Sequence, residues 1–378
     1  VRVIYSIGVR FAGGGIGSIA YHAVRGLHRH GLLHRLLCGS YRATEIPEAR
    51  IHALGLLSRV LRKLAVYDVS RWLTYLHNAL YDRWATRHLV PCDVFHGWGG
   101  FSLTSLRRAK ALGAITIVER ASSHILYQAH ILREEYERWG LSFRLPAASL
   151  RRAVAEFETA DYVLIPSDFV RRSFIERGFP PARLIQIPFG VDIHRFHPGE
   201  RQRSGPFRVL YVGQVSFQKG VLYLLQAWER LRWSDAELWI VGREERDILP
   251  LLRPYRKVPG VRWLGFVRDP VATYQQAHVF AFPSLQEGSA LVTYEALACG
   301  LPVVTTPNAG SVVRDGIEGF LVPIRDVEAL AARLEQLRAD EQLRHEMGRA
   351  ARRRAEAFTW EHYGDRLAEA MQSLREQR

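Results

Sequence analysis

The stretch FRVLYVGQVSFQKGV, Phe207–Val221, decides the fold. An apolar run ends at Gly213, a polar loop carries Lys219 and Gly220, and a helical stretch begins near Val221. Strand, loop and helix in that order open a parallel α/β sheet. Downstream, the apolar runs AELWIVG, VRWLGFV, VFAFPS, LPVVTT and GFLVP alternate with helical stretches. Upstream, the chain opens the same way: VRVIYSI at 1–7, a glycine loop at Gly13–Gly17, then a helix to about Gly31. LLHRLLCGS, DVFHGW, AITIVER, YVLIPS and RLIQIPFGV continue that first series, with a long helical stretch over 56–89. Between the two series lies HPGERQRSGP, residues 197–206, polar, rich in Pro and Gly and without apolar periodicity. It reads as an interdomain linker. The expectation is two doubly wound domains, 1–196 and 207–358, with ligands beyond the carboxyl ends of strands in a cleft between them.

Length and composition agree. The 378 residues suggest two to three domains at about 150 each. A 48% hydrophobic and 24% charged composition is that of an ordinary globular chain and excludes dominant disorder. No apolar run approaches the roughly 18 residues of a membrane span. The start VRVIYSIGVRF lacks a charged region followed by a long apolar one, which predicts no signal peptide. Cys38, Cys92 and Cys299 are few and scattered, which predicts no disulfide framework and a reducing cytoplasm. His22, His28, His30 and His34 cluster without a metal-ligand spacing, so they read as solvated, with no metal site. The net charge is +14. Residues 1–200 carry 27 basic and 16 acidic side chains, so +11 of it lies in the first half. Such a half suits an anionic partner.

Three constellations bear chemistry. AGGGIGSIA places Gly15, Gly17 and Ala20 in a G-x-G-x-x-A pattern after a strand. A dinucleotide site wants an acidic residue about 20 positions on. None occurs before Glu45, which argues against a nicotinamide cofactor and leaves an anion-binding glycine loop. Lys219, at the carboxyl end of a strand and beside a helix start, suits a diphosphate. In FPSLQEGSALVTYEALACGLPVV, residues 282–304, Glu287 lies in a loop and Gly288, Ser289 and Ala290 open a helix. Glu295, eight residues on, is about 2.2 turns away and so is expected on roughly the same face, partly buried. Buried carboxylates need partners, and sugar or ribose hydroxyls qualify.

With these residues the chain resembles the family 4 glycosyltransferases of GT-B fold. The resemblance covers nearly the whole chain and is most specific at IPFGVD (187–192), VGQVSFQKG (212–220), the Glu-x7-Glu block with ALACGLPVV (287–304) and DGIEGFLVP (315–323). It implies two Rossmann-like domains facing a cleft, with the C-terminal helix 359–378 returning to the first. It implies retaining transfer of a sugar from a nucleotide sugar, without a bound metal or a further cofactor. By position, Glu287 matches the carboxylate on the donor sugar, Glu295 the one on the ribose, and Lys219 the cation on the diphosphate. Gly213, Gln214 and the amides of Gly288, Ser289, Ala290 and Leu291 match the donor phosphate loops. Gly15 and Gly17 match the loop facing donor and acceptor, and His96 a histidine near the reacting sugar. Two positions depart from the pattern. Gln214 stands where an arginine is common, leaving the diphosphate one cation short unless Arg243 reaches in, and Trp98 replaces a second histidine.

The expected alignment of Glu287 and Glu295 along one helix does not suit an acid and a base flanking a bond, as a hydrolase needs, which favours transfer over hydrolysis. The acceptor side is expected near Arg120, Ser122 and His124, and the acceptor is a glycan, a lipid-linked sugar or a small molecule. The basic, apolar stretch Leu56–Trp84 predicts contact with an anionic membrane or lipid-linked acceptor, so the expected location is cytoplasmic with peripheral contact at the inner membrane face. The competing readings are a nucleotide-sugar-binding protein without turnover and a sugar-nucleotide epimerase on the same fold. A phosphorylase lacks a recognisable pyridoxal lysine. No nucleic-acid motif accompanies the charge, so no nucleic-acid partner is expected.

Overall fold

The computed structural model describes residues 1–65, 72–199 and 205–376. The chain divides into two units, Val1–His130 with Phe143–Ile187 and Trp360–Arg378, and Ile131–Ser142 with Pro188–Thr359. The first holds a seven-stranded sheet of β1 (Val3–Phe11), β2 (Leu33–Tyr41), β3 (Ile51–Ala53), β4 (Val94–Trp98), β5 (Ile115–Glu119), β6 (Tyr162–Ile165) and β7 (Leu184–Gln186). The second holds six strands, β8 (Phe207–Val212), β9 (Ala236–Val241), β10 (Val261–Gly265), β11 (Val279–Phe282), β12 (Val303–Thr305) and β13 (Gly319–Leu321). Their orders are β3-β2-β1-β4-β5-β6-β7 and β10-β9-β8-β11-β12-β13, and every pairing is parallel.

Burial explains why these segments read as unbroken apolar runs. Helices cover both faces of a parallel sheet, so central strands have no polar side. β4, β5 and β11 are buried at every residue, whereas the edge strands β3 and β10 are half-buried or exposed. In each sheet the chain reverses its direction of travel between the first and fourth strands, β1 beside β4 and β8 beside β11. Such a reversal leaves a crevice at the carboxyl ends of the two strands.

Three local expectations are revised. The stretch 56–89 holds two helices, Leu56–Ala65 and Trp72–Arg87, and residues 66–71 between them lie outside the described part. The break between units falls at Ile187/Pro188, not within 197–206, of which 200–204 lie outside the described residues. The reason is backbone chemistry: Val191 bridges to Thr359, and the Arg352 guanidinium donates to the carbonyls of Ile193, Phe196 and Ala298. Residues 131–142 belong with the second unit because buried Glu135 accepts hydrogen bonds from Tyr223 (2.8 Å), Trp139 (2.8 Å) and Arg325 (2.8 Å). Among the clustered histidines, His22 is half-buried with its ring stacked on Trp360 at 4.1 Å, and half-buried His28 meets Arg50, so neither is simply solvated.

The last helix, Trp360–Glu376, packs on the helix Ile16–Arg29 within the first unit. They cross at Gly26 and Gly364, where a Cβ on Gly26 would lie 2.5 Å from the Gly364 Cα. Arg29 and His30 both reach Asp365, at 2.6 and 2.9 Å. Gly→Ala inside a helix ordinarily stabilises by up to about 1 kcal/mol. Here the added methyl strikes backbone, and overpacking costs about 1–3 kcal/mol. Gly26→Ala is therefore expected to lower the thermal midpoint of the chain; an unchanged or raised midpoint would show that the helices do not meet this closely.

Candidate functional site

In the second unit the reversal between β8 and β11 brings two loops together. The loop after β8 turns through the short helix Phe217–Lys219 and ends at Gly220. Gly220 has φ 67°, and a Cβ there would lie 2.0 Å from the Pro283 carbonyl oxygen. Glycine therefore lets the β8 loop touch the β11 loop. Across this contact the Lys219 ammonium pairs with the Glu287 carboxylate. Gln218 Nε2 donates to the Gln286 carbonyl (3.0 Å) and to Glu287 Oε1 (3.4 Å), and Ser284 Oγ donates to the same oxygen (3.4 Å). The Glu287 N–H donates to the Asn308 carbonyl at 2.9 Å, which fixes the backbone beneath the carboxylate. Burial lowers the Lys219 ammonium to about 8, with Glu245 opposing the shift.

The Glu-x7-Glu segment divides differently from expectation. The helix is Leu291–Ala298, with Ala290 as its N-cap, so Gly288, Ser289 and Ala290 precede it. Glu287 is not on the helix, and the shared-face argument fails: Glu287 turns to Lys219 while Glu295 accepts from the Tyr274 hydroxyl at 2.8 Å. Burial raises Glu295, opposed by the Tyr274 hydrogen bond and Arg195. Ser289 Oγ donates to the Gly310 carbonyl and lies 2.8 Å from the Tyr294 hydroxyl. The helix has neither a side-chain cap nor an acidic residue in its first turn, so its positive end stays open. Gly213 closes β8 by donating to the Val241 carbonyl, and the Gln214 carbonyl accepts from Tyr211. Arg243 does not supply the missing cation: its guanidinium lies over the Phe266 ring at 4.5 Å. Sequence reasoning missed Gln218, Ser284 and Tyr274. Neutral residues carry no charge signal, and only the reversal of strand order brings them to the carboxylates.

In the first unit, Gly17, in the first turn of its helix, is pressed against the Arg10 carbonyl, while the Cβ direction of the N-cap Gly15 is open space. His96 is fully buried in β4. Its Nε2 lies 2.9 Å from Glu119 Oε2, its ring lies 4.5 Å from that of Tyr5, and its Nδ1 has no partner among the described residues. Trp98, the departure from pattern, belongs to the same chain of bonds. Its indole N–H donates to the Tyr5 hydroxyl (2.6 Å), which donates to Glu119 (3.1 Å). Tyr363 donates to the other Glu119 oxygen at 3.4 Å. The loop after β4 is held by a second carboxylate set. Glu156 accepts from the N–H groups of Gly100 and Ser102, and Asp82 from those of Thr104 and Ser105. Arg152 bridges Asp82 and Glu156, and burial pushes Glu156 up to about 7.

The residues expected on the acceptor side separate. Arg120 is half-buried and donates to the Ser123 carbonyl (3.0 Å) and Gln128 (2.7 Å). Ser122 is half-buried. His124 is turned into the core, 5.3 Å from the Phe157 ring and 4.9 Å from that of Phe174, and its Nδ1 accepts from the Leu126 N–H.

The pattern of Glycosyltransferase Family 4 matches residues 13–195, and that of Glycosyl transferases group 1 matches residues 206–340. The chain belongs to the family 4 glycosyltransferases. A D-inositol 3-phosphate glycosyltransferase of Geodermatophilus obscurus is 32% identical over 236 residues, 56% of this chain and 52% of that protein. The chain spans about half the length of the curated relatives it matches. Sucrose-phosphate synthase of Thermosynechococcus elongatus aligns over the whole of both chains with a TM-score of 0.72 at 19% identity. The Anabaena protein HepE, solved with UDP-glucose, aligns over 99% of this chain and 100% of its own, with a TM-score of 0.68 at 18% identity. The family 4 chain thus has the GT-B fold of two Rossmann-like domains.

Burial, reinforced by Arg120 and Arg177, lowers His124 from 6.5 to about 4. The folded chain therefore keeps it neutral where the unfolded chain protonates it. Its contribution to stability is complete above pH 6.5 and is lost as pH falls toward 4, with a slope of about one proton. Thermal midpoints of the wild type over pH 4–7 should show this acid-side slope, and His124→Phe should flatten it; equal slopes in both proteins would place His124 in water.

Proposed function

We propose that this chain is a retaining, metal-independent glycosyltransferase whose second unit holds a nucleoside diphosphate sugar between Lys219, Glu287 and Glu295. The observation that carries the reading is the Lys219–Glu287 pair at the strand-order reversal. A cation for a diphosphate and a carboxylate for sugar hydroxyls stand side by side, each occupied by the other while no donor is present. A donor exchanges that pair for two: its diphosphate takes the ammonium, and its sugar hydroxyls donate to Glu287. Glu295, already aligned by Tyr274, is the acceptor for ribose hydroxyls.

In the reaction the bond between the anomeric carbon and the β-phosphate oxygen breaks, and its electron pair leaves with the diphosphate. An acceptor hydroxyl oxygen forms the new bond, and its proton ends on the departing phosphate. Lys219 and the open start of the Leu291–Ala298 helix face the charge that grows on the diphosphate, and removing one such donor typically costs about 10²–10³ in rate. UDP-linked sugars are the first donors to consider, because HepE was solved with UDP-glucose. Peripheral contact with an anionic membrane belongs to the same proposal. The helices Leu56–Ala65 and Trp72–Arg87 expose Leu56, Leu57, Val60, Leu64, Trp72, Leu76 and Leu80 in a basic half of the chain. Among the described residues no helix is long and apolar enough to cross a membrane.

The test is a screen of UDP-, GDP- and ADP-sugars for nucleotide release, with and without chelator, beside Glu287→Ala. Release from one donor, indifferent to chelator and lowered about 10²-fold or more in the variant, is expected. It should also weaken as pH rises through about 8, where Lys219 loses its proton, and Lys219→Arg should remove that fall. Failure of every donor to bind or react would overturn the assignment. Release abolished by chelator would overturn metal independence alone.

A further inference from the structure

The first unit contains a second, unassigned basic site. At the carboxyl end of its sheet, a cavity of about 220 Å³ is lined by Val9, Arg10, Gly13, Gly14, Ile16, Arg42 and Arg62. The three guanidiniums come from three elements: Arg10 from the end of β1, Arg42 from the residue after β2, and Arg62 from the helix Leu56–Ala65. Among the described residues none of the three pairs with a carboxylate. All three arginines are exposed, so the cavity is a solvent-facing one, and partial desolvation lowers the Arg62 guanidinium. The fourth wall is the glycine loop at the start of the Ile16–Arg29 helix, which has no acidic residue in its first turn and no side-chain cap. Three convergent arginines beside a positive helix end form an anion site, and arginine forks match phosphate oxygens.

The helix that supplies Arg62 also carries an exposed apolar face. At 100° per residue, Leu56, Leu57, Val60 and Leu64 fall within one 100° arc, and all four are exposed. Lys63 and Arg59 border one edge of that arc, while Ser58 lies 2.9 Å from His77 on the inward side. Arg62 lies on the inward side of the arc, toward the cavity. An apolar face bordered by cations is the pattern of a helix lying in a membrane interface. The neighbouring helix adds exposed Trp72, Leu76 and Leu80 at i, i+4 and i+8.

We propose that Arg10, Arg42 and Arg62 bind the phosphoryl group of a membrane-borne lipid, with the apolar face of the Leu56–Ala65 helix seated among its chains. This lipid is the acceptor, or carries it. That last clause rests on the glycosyltransferase reading; the binding site itself does not.

The test therefore uses no donor. The full chain is floated with vesicles of phosphatidylcholine alone and of phosphatidylcholine with phosphatidic acid. Three proteins are compared: the wild type, Arg10→Gln/Arg42→Gln, and Arg59→Gln/Lys63→Gln, the two variants losing the same number of charges and each checked for an unchanged thermal midpoint. Surface cations near an anionic bilayer are worth roughly fivefold in affinity each. Diffuse attraction would cost either variant about 25-fold; the cavity variant should instead lose on the order of 100-fold of its affinity for phosphatidic acid vesicles, and inorganic pyrophosphate should compete with wild-type binding. The flanking variant should lose less than the cavity variant and remain sensitive to pyrophosphate. Equal losses in the two variants would mean diffuse surface attraction and overturn the site. Binding of pyrophosphate with no affinity for either vesicle would overturn the lipid in favour of a free phosphorylated acceptor. Because no sugar is present, failure here leaves the donor reading standing, and failure of the donor screen leaves this one standing.

Discussion

The reversal of strand order between β8 and β11 is the constraint on which the proposed donor site depends. Neighbouring parallel strands whose connections leave in opposite directions cannot both have a helix directly above their shared crevice. The two carboxyl-end loops therefore meet without an intervening element, and Lys219 and Glu287 become partners although 68 residues separate them. The contact is close because Gly220 admits the Pro283 carbonyl where a side chain would exclude it. Everything proposed for the donor follows from that pairing: a half-buried ammonium whose proton is loosened by burial, a carboxylate already surrounded by donors, and a short helix with an open positive end beside them.

The first unit repeats the topology with different chemistry. The glycine loop follows β1, and the arginines beside it come from the β1, β2 and β3 side of the sheet, away from β4. Carboxylates there are committed to structure. Glu119 collects Tyr5, His96 and Tyr363, and Asp82 and Glu156 hold the amides after β4. A buried carboxylate that accepts several hydrogen bonds fixes the elements that donate to it, because removing any donor leaves costly unsatisfied charge. The same sheet end bears three guanidiniums that pair with no carboxylate among the described residues.

Much of this was legible in the sequence, for identifiable reasons. The strands announced themselves because central parallel strands are buried on both faces. Val279–Phe282 contains no polar side chain, and the stretch 115–118 contains only Thr116. The Lys219 and Glu287 positions were readable because each follows such a run. Three things were not readable. Helical spacing could not reveal that Glu287 precedes the helix, since Gly288–Ala290 suit either a first turn or a loop. Residues 188–196 look like the end of the first domain, but Arg352, far along the chain, ties their carbonyls to the second. The three-arginine cavity joins residues 10 and 42, at neighbouring strand ends, with residue 62 of the helix Leu56–Ala65, and its one sequence trace is the absence of any acidic residue before Glu45.

The most direct test of the donor site is a crystal structure of the full chain grown with UDP. The account predicts the diphosphate within hydrogen-bond distance of Lys219 Nζ, the Lys219–Glu287 pair opened, and the ribose on Glu295. A diphosphate bound elsewhere, with the Lys219–Glu287 pair intact, would contradict it.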